Sequence, residues 1–233
     1  MTRARPTWLN VLLLAASAVV FVTFVSLGTW QVKRLAWKID LIAQVESRAF
    51  GAPVDAPLGD APAYLNVAVT GAYVQGTTLR IKAVTDIGPG SWVMTPFRTD
   101  TQTLWVNRGF VPTRSTPTDW TTPNTPLTIA GLVRLSVPDG TWLEKNDPAS
   151  NRWFSADLDA MSEYADLTTN TAYYVDAAHR GAPAAFPRGG MTKLTFRNTH
   201  LSYAITWYAM AALLAAGIGY VIWDQSRKSR RED

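Results

Sequence analysis

Residues 8–29 read WLNVLLLAASAVVFVTFVSLGT and carry no charged side chain. At ~1.5 Å rise per residue, a helix of this length crosses a hydrocarbon core of ~30 Å. Residues 201–223, LSYAITWYAMAALLAAGIGYVIW, are equally free of charge. Trp8 and Trp30 flank the first stretch, and Tyr203 and Trp223 lie near the ends of the second, where amphipathic rings settle at headgroup depth. Two membrane-spanning helices are therefore expected, with a separate domain between them.

The first stretch is too long for a signal-peptide core, and its AASA tetrapeptide at 15–18 lies mid-stretch rather than at its end. A retained anchor is expected. The span opens at residue 8, leaving no length for an organelle transit peptide, so the expected location is a bacterial cytoplasmic (inner) membrane. Arg3, Arg5, Arg227, Lys228, Arg230 and Arg231 lie on one side of the spans. Lys33, Arg34, Lys38, Arg188, Lys193 and Arg197 flank the other, so cation counting balances. The termini are short and easily held inside, which predicts a middle domain facing the periplasm.

The expected organisation is a cytoplasmic N-terminus at 1–7, a first transmembrane helix at 8–29, a periplasmic domain at 30–200, a second transmembrane helix at 201–223, and a cytoplasmic tail at 224–233. Past Trp30, the apolar residues Leu35, Ile39 and Ile42 keep helical spacing, which predicts an amphipathic extension over 30–48. Proline and glycine crowd residues 51–63 and predict a linker. From Tyr64 the period becomes two. YLNVAVTG, TTLRIKA, SWVMTPFR, TLWVNRGFV, LTIAGLVRL and TAYYVDA read as strands, making 64–176 mainly β. One short helix is expected at Asp157–Tyr164 with Ser155 as its N-cap. The fold class is thus an α+β membrane protein: two transmembrane helices flank a mostly antiparallel extracytoplasmic barrel or curled sheet with short helices.

The net charge of +4 falls as +2 on Arg3 and Arg5, +1 on residues 200–233 and +1 on everything between. Cations are scattered, without the stripe that marks a nucleic-acid surface. The absence of cysteine excludes disulfides, thiolate metal sites and cysteine nucleophiles. There is no Walker loop, GxSxG, HExxH or dinucleotide glycine pattern, so no enzyme is expected and no catalytic residue is assigned. DIGPGSW lies between strands and reads as a β-turn. Asp157 and Asp159 read as solvated carboxylates at a helix start. His179 follows a strand, where it is either a surface residue or a ligand or base. In VNRGFVP, Gly109 permits a bulge or a positive φ, and Asn107 caps the turn.

Two clusters remain. Gln31, Arg34 and Lys38 follow at spacings of three and four beside Trp30 and Trp37, forming a polar stripe just outside the membrane. It serves either interfacial anchoring or a grip on an anionic group. At the other end, His200 stands at the mouth of the second span, with Tyr203 and Trp207 on the same helical face. The small residues Ala204, Ala211, Ala215 and Gly219 either let helices approach closely or leave room for a flat ring.

LGTWQVKRLAWKIDLI at 27–42 and THLSYAITWYAMA at 199–211 resemble the paired signatures of the Surfeit-locus (Surf/Shy) family of cytochrome c oxidase assembly factors. VNRGFVP at 106–112, the Gly131–Arg134 strand and NDPASNRWFSADLDAM at 146–161 are similar to that family too. The resemblance implies a domain outside the cytoplasmic membrane, near oxidase subunit I as it receives its haem, with haem a synthase as a further partner. It implies His200 as a haem a ligand binding iron, with Tyr203 and Trp207 nearby. The first-helix signature maps onto Gly28, Trp30, Gln31, Arg34, Trp37 and Lys38. The expected function is binding or positioning transient haem a for insertion into subunit I. The alternative is a haem-free scaffold that stabilises a subunit I intermediate. Membrane lipid is an expected partner and nucleic acid is not.

Overall fold

In the computed structural model, residues 7–116 and 121–232 are described. The expected cytoplasmic N-terminus lies outside them apart from Thr7, as do residues 117–120 of the threonine-rich loop and Asp233. The chain divides into two compact units, one made by the long helices and one by Gln44–Leu194.

The helical unit contains α1 (Thr7–Ala49) as far as Ala43, and α3 (His200–Glu232). Each has a segment long and apolar enough to cross a membrane. Their apolar side chains, such as Leu12, Val19, Leu213 and Val221, stand exposed on the isolated chain. That is the signature of a helix whose outer faces are solvated by lipid. No proline interrupts α1 after Trp30, so the helix runs through the expected extension until Gly51 and Pro53 stop it. Residues 224–232 also stay helical, where the sequence indicated only a tail.

In the second unit, β1 (Val54–Asp55), β2 (Asn66–Tyr73), β3 (Leu79–Thr85), β4 (Gly88–Arg98), β5 (Thr103–Pro112), β6 (Leu127–Leu135) and β7 (Asn170–Ala177) form one seven-stranded sheet. Their order is β1-β2-β6-β7-β5-β4-β3, and a short β2–β4 pairing curls the sheet round on itself. Most pairings are antiparallel, but β5–β7 and β1–β2 are parallel. Inside the curl, alternate residues form one core that includes Val67, Phe97, Leu104, Val106, Ile129, Val133 and Tyr173. A second core, with Ile81, Met94, Trp105 and Trp153, lies under the short helix α2 (Leu158–Tyr164). Trp105 Nε1 donates to Ser162 Oγ at 3.0 Å, satisfying the one polar atom of that buried indole.

Several local readings change. The segment read as a linker contains β1, which pairs with Val67 and Ala68 of β2. The β-turn read in DIGPGSW is there, formed by Asp86 and Ile87 between the paired Thr85 and Gly88, and β4 already begins at Gly88. Asp157, not Ser155, caps α2, with its carboxylate accepting from Ala160 N at 3.2 Å. Ser155 Oγ is already engaged, donating to Val137 O at 2.6 Å and accepting from Gly140 N at 3.0 Å. Asp157 is buried and also accepts from Asp139 N, so it is not a solvated carboxylate.

The pairing of β4 with β5 slips between Trp92 and Met94, so Arg108 and Gly109 together oppose Val93. This bulge needs glycine. Gly109 has φ +129°, and a Cβ there would lie 2.3 Å from the backbone carbon of Arg188. Asn107 Oδ1 accepts from Gly109 N at 3.0 Å, fixing the turn as the sequence indicated. The bulge re-aims Arg108, whose guanidinium lies 5.1 Å from the Tyr73 ring and donates to Thr121 O and Thr122 Oγ1.

Candidate functional site

His200 is the first residue of α3. Its backbone N–H donates to Asn198 Oδ1 at 3.3 Å, so a polar side chain closes the helix start. The imidazole is half-buried and its Nδ1 lies 2.7 Å from Gln31 Oε1. A side-chain amide oxygen can only accept, so Nδ1 carries the proton and donates. In the neutral ring this leaves Nε2 with its lone pair free of that bond.

Gln31 is itself buried, on the face of α1 turned toward α3. The two helices run antiparallel and meet in successive contacts. Lys38 Nζ donates to the carbonyl of Arg197 just before α3 begins. Gln31 and His200 come next. Farther along the seam, Thr29 Oγ1 lies 3.1 Å from Tyr208 OH, and the Phe24 and Trp207 rings sit 5.7 Å apart. Gly28 makes the approach possible, because a Cβ there would stand 2.9 Å from the Tyr208 ring. Ala204 and Ala211 are buried along the same face, which is the close-packing use of small residues. Ala215 and Gly219 are exposed, and nothing lies within 4 Å of a Cβ placed at Gly219.

The sequence-indicated residues thus separate into groups. Gln31, Lys38, His200 and Trp207 face the seam between the helices. Arg34 turns outward, with its guanidinium 3.8 Å from the centre of the Trp37 ring. Trp30, Trp37 and Tyr203 are all about half exposed, at 54%, 49% and 55%. Tyr203 is therefore not brought onto the seam with His200. The polar stripe on α1 divides by role: Gln31 meets His200 of α3, Lys38 meets the Arg197 carbonyl just before it, and the cation between them stacks on a ring. Tyr208, Phe24 and Thr29 were missed. Their signal was spacing, since Tyr208 lies eight residues after His200, on the face that also carries Ala204 and Ala211.

Away from the helices, His179 Nε2 lies 2.9 Å from Ala182 O, and its Nδ1 is buried without a hydrogen-bond partner among the described residues. Among the described residues no group of three or more His, Asp and Glu side chains gathers as a metal would require.

The SURF1 family model matches residues 18–212, which includes both helix signatures and the sheet between them. The chain is 33% identical to Surfeit locus protein 1 of Homo sapiens over 216 residues, covering 82% of this chain and 71% of the relative. It is 33% identical to a SURF1-like protein of Monosiga brevicollis, covering 87% and 84%. A SURF1-like protein of Caenorhabditis briggsae is 26% identical, covering 86% and 71%.

Proposed function

This chain belongs to the SURF1 family, the cytochrome oxidase assembly factors, and from that premise we propose that it binds or positions haem a for insertion into subunit I of a haem-copper oxidase. One observation carries the haem reading. Gln31 holds the Nδ1 proton of His200, so Nε2 presents a lone pair, and neutral imidazole is a standard haem-iron ligand. A second-shell acceptor on the other ring nitrogen is the usual way a protein orients such a ligand.

The donor set fits a carrier. His200 is the single imidazole of the helical unit, and one protein ligand releases its cargo more readily than two. Haem would bring redox-active iron; the chain's own part is to orient the imidazole and exclude water from the seam. Arg34 and Lys38 lie about one and two turns beyond Gln31 on α1, and in this reading one of them leaves its present partner, the Trp37 ring or the Arg197 carbonyl, to meet a carboxylate. In this reading the protein sits in the bacterial inner membrane with both termini in the cytoplasm and the β unit in the periplasm. Its partners are subunit I, haem a synthase and lipid.

A haem-free scaffold for a subunit I intermediate is the second reading. It is favoured by the burial of Ala204 and Ala211, which leaves the helix seam already filled.

The discriminating experiment is the Soret spectrum of protein purified from cells that make haem a. His200→Ala is expected to insert normally, because alanine suits a helix, and to lose most bound haem, whereas His179→Ala keeps it. An unchanged Soret band in His200→Ala would discard the ligand role and leave the scaffold.

A further inference from the structure

The face of the sheet opposite the closed core carries a cleft of about 920 Å³. It belongs wholly to the β unit and is independent of the haem reading. Its floor comes from four adjacent strands. Arg134 on β6 pairs with Tyr174 on β7, Asp176 on β7 with Asn107 on β5, and Asn107 with Met94 on β4. Directly paired residues point to the same side of a sheet, so register alone gathers these groups. Trp92 and Phe154 line the same cleft and make much of it aromatic.

The polar groups here are unequally engaged. Asp176 has both carboxyl oxygens occupied: Asn107 Nδ2 donates to one at 2.8 Å, and Thr192 Oγ1 donates to the other. Burial above all pushes this carboxyl above the usual range, while the Thr192 hydrogen bond and the nearby Arg134 charge pull the other way. Two lysines on the rim are paired, Lys82 with Glu144 and Lys193 with Asp86. Arg134 is different. Its guanidinium lies 5.2 Å from the Tyr64 ring and donates no hydrogen bond to another described residue. The Tyr174 hydroxyl beside it has no hydrogen-bond partner among the described residues either. Burial above all holds its pKa up to about 12, so it keeps its proton. Two adjacent donors thus open onto a trough with an aromatic wall, and the cationic one has Asp176 nearby but makes no hydrogen bond to it.

We propose that this cleft binds a small amphipathic carboxylate, its head on Arg134 and Tyr174 and its apolar body along Trp92, Met94 and Phe154. With both Asp176 oxygens taken by Asn107 and Thr192, the unused donors select an acceptor, the planar guanidinium favours a carboxylate, and the aromatic wall rewards a long apolar body.

The probe is a dodecanoic acid carrying a diazirine near its methyl end, photolysed with the full-length protein in lipid nanodiscs. Crosslinks are mapped by mass spectrometry. The acid is expected to label Trp92, Met94 or Phe154, and its methyl ester, on the same wild-type protein, about tenfold less or lower, since a hydrogen bond to a charged group is worth at least that factor. Arg134→Gln and Tyr174→Phe should each reduce cleft labelling while labelling of α1 and α3 from the lipid stays constant. Arg80→Gln, outside the cleft, should change neither. Equal cleft labelling by acid and ester, or full labelling of Arg134→Gln, would overturn the proposal. The acid–ester comparison needs no variant, so a misfolded mutant cannot obscure the result.

Discussion

His200 Nδ1 and Gln31 Oε1 lie 2.7 Å apart across the helix seam, although 169 residues separate them in the chain. The amide oxygen accepts, so the ring is held as its Nδ1-protonated tautomer. Gln31→Leu should release that tautomer, while Gln31→Glu keeps an acceptor. The chain has only two histidines, so ¹⁵N spectra of labelled imidazoles resolve each ring. His200 is expected to be Nδ1-protonated in the wild type and to shift toward Nε2-protonation in Gln31→Leu. Haem affinity should fall about ten- to a hundredfold, the usual cost of losing a second-shell partner. An unchanged tautomer in Gln31→Leu would remove the positioning role.

Orientation in the membrane can be read by chemical access. The chain contains no cysteine, so one introduced cysteine is the sole target. Val84→Cys, at a site 80% exposed on the β unit, should react with an impermeant maleimide added to intact spheroplasts. Gln225→Cys, near the end of α3, should react only after permeabilisation. The reverse pattern would place the β unit in the cytoplasm.

Gly109→Ala should be among the most damaging single-methyl changes in the β unit. A φ of +129° and a Cβ 2.3 Å from the Arg188 backbone leave no local adjustment. The expected cost is about 3 kcal/mol or more. Gly76→Ala meets a positive φ but open space, and should cost about 1 kcal/mol. Urea-dependent proteolysis of the two variants measures the difference, and equal resistance would contradict the bulge.

Burial raises the Asp176 pKa in the folded protein. The folded state therefore holds this proton more tightly than the unfolded state does. Its contribution to stability is fully present below the unfolded carboxylate pKa and is lost as pH rises through the folded value. Asp176→Asn can still accept from Asn107 and donate to Thr192. It should melt higher than the wild type at neutral pH, with the gap closing as pH falls through the acidic range. Thermal melts at several pH values test this, and a gap that widened on acidification would refute it.

Which parts of the molecule sequence could reveal follows from how local each cause is. In LTIAGLVRL every second residue from Ile129 to Val133 is buried, and β6 occupies the same nine residues, because a period of two is carried by the side chains themselves. His200 was visible as a boundary because charge ends there and an apolar run begins. The parallel β5–β7 pairing was not visible, since alternation says which face a residue takes and not which strand lies beside it. Ser155 and Asp157 are both good N-caps by residue type. What separates them is the carbonyl of Val137, brought in from eighteen residues away. The polar stripe on α1 was legible as a stripe, but its division between seam and surface depends on α3, a helix almost the whole chain distant.

The sheet order also has a consequence for synthesis on the ribosome. β7 is the last strand made, yet it lies in the middle of the sheet, between β6 and β5. Until residue 177 has emerged, the β1-β2-β6 and β5-β4-β3 groups share only the two-residue pairing of β2 with β4. During that interval β6 and β5 each present a bare edge, which is a template for wrong partners. Only twenty-two residues separate the end of β7 from the start of α3. The nascent chain thus has a narrow interval in which to close its sheet before the second helix tethers it, and a stop between β6 and β7 leaves an anchored fragment with both of those edges open.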